Sequence, residues 1–167
     1  ITSGVRADRV VAAVRTPETG EGAAGITLMM LDPASPGYAT PRALAKMGWW
    51  CSDTAELAFN EVPVAPRDVL GLGLGFASLA NHFVSERLSL AVTAYATAQR
   101  CLDLTEAWAK NRETFGRPLI SRQIVRHTLV DMYRRTDVAR VYTHAITDRY
   151  INGEQLIAEA ALAKQTA

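Results

Sequence analysis

The amino-acid sequence predicts an α+β fold: an antiparallel β piece, part of a barrel or sandwich, followed by long antiparallel helices of the up-down four-helix-bundle type. Residues 1–69 alternate short apolar runs with clusters of turn residues, which is typical of strands. From about residue 76 turn residues become scarce, and the helix formers alanine, leucine, glutamate and arginine dominate. We therefore expect a partial β-domain over 1–69, a linker over 70–75 and a partial helical bundle domain over 76–167.

The strands are predicted from apolar runs that turn residues interrupt. Residues 9–15 and Ile26–Leu31 form two such runs, separated by turn residues at 16–22, and a third run covers residues 55–60. Two prolines within residues 62–66 exclude a helix there and favour an extended crossing. The runs therefore predict at least three strands before the helices begin.

The linker carries glycine at alternate positions. Residues 70–76 lack the Gly-Lys-Ser/Thr ending of a P-loop, and no strand-helix-strand unit surrounds them as in a dinucleotide fingerprint. A flexible joint is therefore favoured over a phosphate cradle. The first helix follows as far as about residue 112, with a stripe of small residues at Ala91, Ala94 and Ala98 that allows a neighbouring helix to approach closely.

A second helix is predicted from about residue 121 to 151, and a third over 154–167. Asn152 and Gly153 between them suit a left-handed helix cap. The second helix has a charged side with Arg126, Arg134, Arg135 and Arg149. Its predicted apolar side consists of Val130, Tyr133, Val138, Val141, Tyr142, Ala145 and Ile146.

Composition excludes several classes of function. A net charge of +1 provides no long-range field for nucleic acid or an anionic membrane. Cys51 and Cys101 match no metal spacing and no disulfide framework, and we expect no metal site. No window reaches the roughly 18 apolar residues of a membrane span, and the first residues do not resemble a signal peptide. We expect a cytoplasmic protein, and the missing initiator Met and helical ending predict a chain cut at both ends.

Residues 112–123 combine the chemistry of a ligand site with that of a turn. Arg112 supplies a forked donor for phosphate, Phe115 a face for stacking and Gln123 a two-sided hydrogen-bonding amide. Gly116 and Pro118 break the helix between them. A flat, phosphate-bearing ligand suits this segment, and a plain helix-to-helix turn is the alternative.

A set of short motifs in a fixed order resembles the acyl-CoA dehydrogenase family over essentially the whole chain. The motifs are Ile1-Thr-Ser-Gly, Lys46-Met-Gly48, Cys51-Ser-Asp-Thr54, Phe59-Asn-Glu-Val-Pro-Val64, Glu86-Arg87, Arg112-Glu-Thr-Phe-Gly116, Gln123 and Asp131-Met132. The resemblance implies that residues 1–69 are the later part of the family's middle β-domain, and that residues 76–167 begin its C-terminal helical domain.

The resemblance also implies a set of FAD contacts. Ile1 and Thr2 match the segment whose backbone and hydroxyl approach the flavin ring. The contacts to the adenine-dinucleotide portion of FAD, typically bound by a neighbouring subunit, are implied for Arg112, Thr114, Phe115 and Gln123. A homo-oligomer, either a dimer or a tetramer, is therefore expected.

Two positions are open for the catalytic base. Glu86 falls where the branch similar to isovaleryl- and long-chain acyl-CoA dehydrogenases has its base, whereas most other members place that glutamate in a later helix, beyond Ala167. Ser52 and Arg87 resemble positions that line the path of CoA. The sequence departs from the family at Trp49 and Trp50, because arginine is common at the second of these positions. The tryptophan pair either covers core or a domain interface, or reshapes the CoA entrance.

The implied reaction is α,β-dehydrogenation of an acyl-CoA thioester to trans-2-enoyl-CoA, with FAD as the hydride acceptor and an electron-transferring flavoprotein as the partner that reoxidises it. A carboxylate would remove the α-proton, and hydrogen bonds to the thioester carbonyl would stabilise the enolate charge. Fatty acid metabolism is the implied setting. A flavin-dependent oxidase or monooxygenase of the same fold is one alternative, and a non-catalytic helical interaction module is another.

Overall fold

A computed structural model describes residues 1–16 and 20–167 of the chain, which form two compact units, 1–79 and 80–167. The first unit holds antiparallel sheets and the second holds long helices, which confirms the predicted α+β class. The turn predicted over residues 16–22 includes residues 17–19, which lie outside the described residues. Each unit has its own set of buried residues and is treated separately below.

Over the described residues, the main sheet of the first unit has three strands. Strands β1 (Val10–Arg15) and β2 (Ile26–Leu31) pair antiparallel along their whole length, from Val10 opposite Leu31 to Arg15 opposite Ile26, and β5 (Val69–Leu70) pairs with the other edge of β2. The central strand β2 is the most buried, with Thr27, Leu28 and Leu31 in the core. These two long strands were predicted correctly because each is a short apolar run beside a cluster of turn residues.

A second sheet pairs β3 (Tyr38–Ala43) with β4 (Ala55–Phe59). The run at 55–60 predicted β4, but β3 was not predicted because Pro41 interrupts it. The structure accommodates this proline at a register shift between Ala39 and Arg42, where a strand can lack a ladder hydrogen bond. The Tyr38 and Phe59 rings meet edge to face at a centroid distance of 5.4 Å, joining the two strands at one end.

The glycine-rich linker is fixed to the main sheet within the first unit. The Gly73 amide donates to Thr27 Oγ1 at 3.1 Å. Gly75 is buried against β2, and a Cβ on Gly75 would lie 2.8 Å from the Ile26 carbonyl oxygen and 2.9 Å from the Leu28 amide nitrogen. These glycines therefore allow a close approach of two backbones, which differs from the flexible joint expected from the sequence.

The second unit consists mainly of helices. Helix α1 (Gly75–Asn111) extends into it from the first unit, and α2 (Gln123–Ile151) and α3 (Ile157–Thr166) complete the set. Its main core contains Val84, Leu88 and Ala91 of α1, Ile146 of α2, and Leu156, Ala160 and Ala163 at α3. Within the described residues, none of the helices carries an apolar stretch of the length that a bilayer requires.

The buried side of α2 differs from the predicted one. Of the predicted apolar residues, Ile146 is buried and the two tyrosines are half-buried. The exposed ones are Val130, Val138, Val141 and Ala145. The buried positions are Leu129, Thr136, Ala139, Thr143 and Ile146. The error arose because α2 carries a second apolar stripe of valines, and periodicity alone could not distinguish it from a core stripe that includes two threonines.

Helix α2 ends in a Schellman motif, as the Asn152-Gly153 pair predicted. Gly153 has a φ of +88°, its amide donates to the Tyr150 carbonyl at 3.0 Å, and the Glu154 amide donates to the Arg149 carbonyl at 3.2 Å. The Arg149 guanidinium also contacts the Glu154 carboxylate at 2.7 Å, and this exposed ion pair links the last turn of α2 to the residue after Gly153. The turn places Leu156 in the core and starts α3 at Ile157.

Candidate functional site

The first candidate site in unit 1–79 joins the N-terminal segment to the turn before β4. Thr2 forms an isolated antiparallel bridge with Thr54, the Ser3 amide donates to the Asp53 carbonyl at 2.9 Å, and the Ala55 amide donates to the Ile1 carbonyl at 2.9 Å. Thr2 itself is exposed. The structure therefore brings the predicted flavin-ring segment beside the Ser-Asp-Thr turn that carries the predicted CoA contact.

Asp53 anchors this junction, a role that the sequence did not suggest. Its carboxylate accepts the Val5 amide at 2.8 Å and the Arg6 Nε at 2.6 Å. These two interactions, the Val5 hydrogen bond first and Arg6 second, lower the pKa of Asp53 below its usual value. Arg6 also donates to the Cys51 carbonyl at 3.3 Å. The carboxylate therefore stays ionised and holds the N-terminal segment against the turn.

Ser52 lies half-buried at the edge of an open cleft in the same unit. The cleft has a volume of about 370 Å³ and is lined by Leu44, Ala45, Lys46, Trp50, Ser52 and Asp53. An aromatic ring, an ammonium group and a hydroxyl therefore meet in one place. Such a combination suits a ligand with both a flat ring and an anionic group.

Glu86 and Arg87 lie on the N-terminal half of α1, in the second unit. Val84 and Leu88 on either side of them point into the core, so Glu86 faces away from it and is exposed. Arg87 is half-buried, with its guanidinium carbon 5.7 Å from the centroid of the Phe83 ring. Leu90, four residues after Glu86, is also exposed. Glu86 thus lies on a partly apolar, uncovered face of the helix.

The connection between α1 and α2 is a two-residue β-hairpin. Strands β6 (Glu113–Thr114) and β7 (Arg117–Pro118) pair antiparallel, and Phe115 and Gly116 form the turn with φ of +49° and +74°. Positive φ at both central residues matches a type I′ turn. The Leu119 amide donates to the Arg112 carbonyl at 2.7 Å and closes the base of the hairpin.

This hairpin presents the predicted adenine-dinucleotide contacts. Phe115 is 96% exposed at the tip, Arg112 is exposed at the end of α1, and Gln123 is exposed at the first position of α2. Thr114 lies half-buried in β6. The four residues therefore share one short connection, while Ile1, Thr2 and Ser52 belong to the other unit.

Arg122 belongs to this site, although the sequence did not single it out. Its Nη2 donates to the Thr114 carbonyl at 2.6 Å, and its guanidinium carbon lies 5.6 Å from the centroid of the Phe115 ring. One side chain therefore holds both a strand of the hairpin and its exposed aromatic tip. The sequence shows an arginine directly before Gln123, which could have drawn attention to it. Its partners Phe115 and Thr114 lie seven and eight residues earlier, and only the hairpin brings the three residues together.

A hydrogen-bonded brace supports the helices close to the hairpin. Tyr133 of α2 donates to Glu106 of α1 at 2.6 Å, and Lys110 contacts the other oxygen of the same carboxylate at 2.7 Å. The Lys110 hydrogen bond first and the Tyr133 bond second lower the pKa of Glu106, and the bond to Glu106 raises the pKa of Tyr133. Within residues 1–16 and 20–167, no three metal-binding side chains lie together.

A domain model, curated relatives and solved structures all point to the same family. The model of the acyl-CoA dehydrogenase C-terminal domain matches residues 73–167. The mitochondrial 2-methylacyl-CoA dehydrogenase of Solanum tuberosum is 34% identical over 154 residues, which cover 92% of this chain and 37% of that protein. The mitochondrial isovaleryl-CoA dehydrogenase of the same species is 35% identical over 146 residues, covering 87% of this chain and 35% of that protein.

Among solved structures, a putative acyl-CoA dehydrogenase from Mycobacterium smegmatis superposes with a TM-score of 0.91 and 55% identity, covering 99% of this chain and 43% of that one. The chain thus spans less than half the length of the proteins that it resembles. Because the domain model matches more than half of the residues, and the fold agrees along nearly the whole chain, the protein belongs to the acyl-CoA dehydrogenase family.

Proposed function

We propose that the protein is an FAD-dependent acyl-CoA dehydrogenase that converts an acyl-CoA thioester to the trans-2-enoyl-CoA. Acyl-CoA dehydrogenases are FAD-dependent flavoproteins. The proposal assigns residues 1–69 to the middle β-domain of the family and residues 76–167 to the start of its C-terminal helical domain, with 70–75 between them.

The observation that carries the proposal is the conformation of Phe115. An aromatic residue at positive φ is strained, and a side chain that is 96% exposed gains nothing from burial in return. Strain without burial indicates a residue kept for binding. Arg112 beside it offers a forked donor for pyrophosphate, so the hairpin fits a dinucleotide.

Each remaining predicted residue has a proposed role. Ile1 and Thr2 contact the flavin ring through the backbone and the hydroxyl, while Thr114 and Gln123 add polar contacts to the adenine-dinucleotide portion. Ser52 and Arg87 contact the CoA moiety. Glu86 is the proposed catalytic base, and its position on an uncovered, partly apolar helix face supports this role because a substrate could reach it.

The chemistry divides between cofactor and side chains. Bound FAD supplies the hydride acceptor. Glu86 would take the α-proton through a carboxylate oxygen, and Arg87 and Ser52 would orient the thioester by holding the CoA moiety. Removal of the α-proton and loss of the β-hydrogen leave a carbon-carbon double bond, which gives the enoyl product.

The proposal extends to partners and location. The FAD contacts of the exposed hairpin would be made across a subunit boundary, in a homodimer or homotetramer. An electron-transferring flavoprotein would accept the electrons, and the setting would be fatty acid metabolism. Both cysteines are free and exposed, which suits the reducing cytoplasm.

The test is anaerobic reduction of the flavin-loaded holoenzyme by acyl-CoA thioesters of different chain length and branching. We expect the visible absorbance of the flavin to bleach with at least one thioester and a trans-2-enoyl-CoA to form. A protein that purifies colourless and stays so with added FAD would instead support a non-catalytic helical module. Bound flavin that no acyl-CoA reduces would support an oxidase or monooxygenase of this fold.

A further inference from the structure

The hydrogen bond between Tyr133 of α2 and Glu106 of α1 has no part in the proposed function, although it lies close to the hairpin. We infer that Tyr133 and Glu106 are positioning residues for FAD: their hydrogen bond sets the spacing of the two helix ends that carry the hairpin, and with it the spacing of Arg112 and Gln123. The inference rests on the proposed function, because the hairpin is the proposed contact for the adenine-dinucleotide portion of FAD.

The bond is partly shielded from water. Glu106 and Tyr133 are half-buried, and Leu102, Ala109 and Leu129, each one helical turn from one of them, are buried. The hydroxyl oxygen lies 2.6 Å from the carboxylate oxygen, as in a charge-assisted hydrogen bond. A bond of this kind is stronger where water competes weakly for it. It therefore fixes one point at which α1 and α2 keep a defined distance.

Both partners have the protonation states that the bond requires. The Lys110 hydrogen bond first and the Tyr133 bond second lower the pKa of Glu106, and the bond to Glu106 raises the pKa of Tyr133. Near neutral pH the carboxyl group is therefore ionised and the phenol protonated. Lys110, which contacts the second carboxylate oxygen at 2.7 Å, belongs to the last turn of α1. The hydrogen-bonded group thus extends to the end of this helix.

Apolar packing leaves a groove between the same helix ends. The groove has a volume of about 180 Å³ and is lined by Thr105 of α1 and by Ile124, Val125, Thr128, Leu129 and Met132 of α2. Side chains that border a groove have fewer contacts to oppose a shift of one helix against the other. The spacing at this end therefore depends more strongly on the bond between Tyr133 and Glu106.

Backbone hydrogen bonds connect the helix ends to the hairpin. The Arg112 amide donates to the Trp108 carbonyl at 2.8 Å, so Arg112 continues the last turn of α1. The Leu119 amide donates to the Arg112 carbonyl at 2.7 Å, and the Arg122 amide donates to the Leu119 carbonyl at 3.1 Å, directly before α2 begins at Gln123. A change in helix spacing would therefore move Arg112 relative to Gln123 and weaken the binding of a ligand that contacts both.

The experiment compares two tyrosines that each join α1 to α2 through one hydrogen bond. Tyr133→Phe removes the bond near the hairpin. Tyr95→Phe removes the contact between the Tyr95 hydroxyl and His144 Nε2, which are 2.8 Å apart and lie roughly 24 Å along α1 from its end at Asn111. In a fluorescence titration of the apoprotein, we expect Tyr133→Phe to raise the dissociation constant of FAD about fivefold and Tyr95→Phe to leave it within about twofold. The melting temperatures of the two variants should fall by similar amounts.

A conservative change at Glu106 separates positioning from general support of the fold. Glu106→Gln keeps a side-chain carbonyl oxygen that can accept from the Tyr133 hydroxyl, so it should retain most of the affinity for FAD. Glu106→Ala removes the acceptor and should raise the dissociation constant about as much as Tyr133→Phe. Equal losses of affinity in Glu106→Gln and Glu106→Ala would count against the inference.

Two further results would overturn the inference while acyl-CoA oxidation stands. One is an unchanged FAD dissociation constant in Tyr133→Phe. The other is an equal rise in Tyr133→Phe and Tyr95→Phe, since each bond would then contribute only to stability. Bound FAD that no acyl-CoA reduces would overturn the proposed reaction, but the inference would still be decided by the titration. If the protein binds no FAD, the proposed function and the inference fall together.

Discussion

At the scale of single residues, Phe115 and Arg122 show how a strained side chain is kept in place. A left-handed backbone at a non-glycine residue costs about 1–3 kcal/mol, and the exposed ring of Phe115 recovers none of this from burial. Arg122 offsets part of the cost through its hydrogen bond to Thr114 and its stacking on the ring. Contacts within the chain therefore hold the hairpin and its exposed aromatic tip.

Replacing Arg122 should weaken cofactor binding more than it weakens folding. We expect Arg122→Ala to raise the dissociation constant of FAD about tenfold, because the hairpin loses the contact that holds Thr114 and Phe115. Fluorescence titration of the apoprotein with FAD measures this constant. The dissociation constant of FAD for Arg122→Lys should lie between those of the wild type and Arg122→Ala, since lysine keeps the positive charge but lacks the forked guanidinium. Arg117→Ala, an exposed arginine on β7, is the control, and an equal effect in both alanine variants would contradict the role of Arg122.

Glu86 is tested by an isosteric change. If Glu86 is the base, Glu86→Gln should lower kcat about 100- to 10,000-fold, because the amide cannot accept the α-proton. Flavin content should stay at the wild-type level in the visible spectrum. Asp103→Asn, which alters another exposed acidic residue of α1, serves as the control and should keep full turnover. Retained turnover in Glu86→Gln would contradict the assignment of the base to Glu86.

At the scale of secondary structure, the close packing of Gly75 on β2 fixes the start of the long helix. Gly75→Ala should lower the free energy of unfolding by about 1–3 kcal/mol, because the new Cβ would meet backbone atoms of Ile26 and Leu28 that cannot move independently. Urea denaturation measures the change. Gly48→Ala is the control in the same unit, as no atom lies within 4 Å of its new Cβ. Equal stability of the two variants would contradict the packing role of Gly75.

The elements that sequence could predict are those whose signals are local. The strands β1 and β2 and the cap at Gly153 depend on neighbouring residues in the sequence, and they were predicted. Strand β3 was missed because Pro41 argues against a strand unless a bulge is known. The exposed valines of α2 and the contacts of Arg122 depend on which residues meet in the folded chain. The periodicity of the sequence does not contain this information. The roles of the predicted FAD and CoA contacts remain predictions for the same reason.

At the scale of the whole molecule, several carboxylates have a lowered pKa in the folded protein. Each has a pKa below its ordinary value in the folded protein, because a hydrogen bond or a basic neighbour favours the ionised form. The unfolded chain therefore binds more protons than the folded chain near pH 4. The carboxylates and the group with the largest effect on each are Asp53 with Val5, Glu106 with Lys110, Asp131 with Arg134 and Glu154 with Arg149.

These lowered pKa values predict the direction of acid destabilisation. The stabilising contribution is fully present above the ordinary values of 3.8 for Asp and 4.5 for Glu, and it is lost as the pH falls through the lowered folded values. The urea midpoint should therefore fall between about pH 5 and pH 3. Asp53→Asn should make this decline of the urea midpoint shallower. An equally steep decline in the wild type and in Asp53→Asn would contradict the assignment to Asp53.

Pro41 in β3 has a further consequence for the behaviour of the protein in solution. Strand β3 pairs with β4 on one side, and an outer edge that stays unpaired is a template on which a second chain can add a strand. Proline has no amide hydrogen to offer such a strand, and the register shift between Ala39 and Arg42 bends the edge away from the flat geometry that stacking needs. The residue that concealed β3 in the sequence is thus also a safeguard against aggregation at this edge.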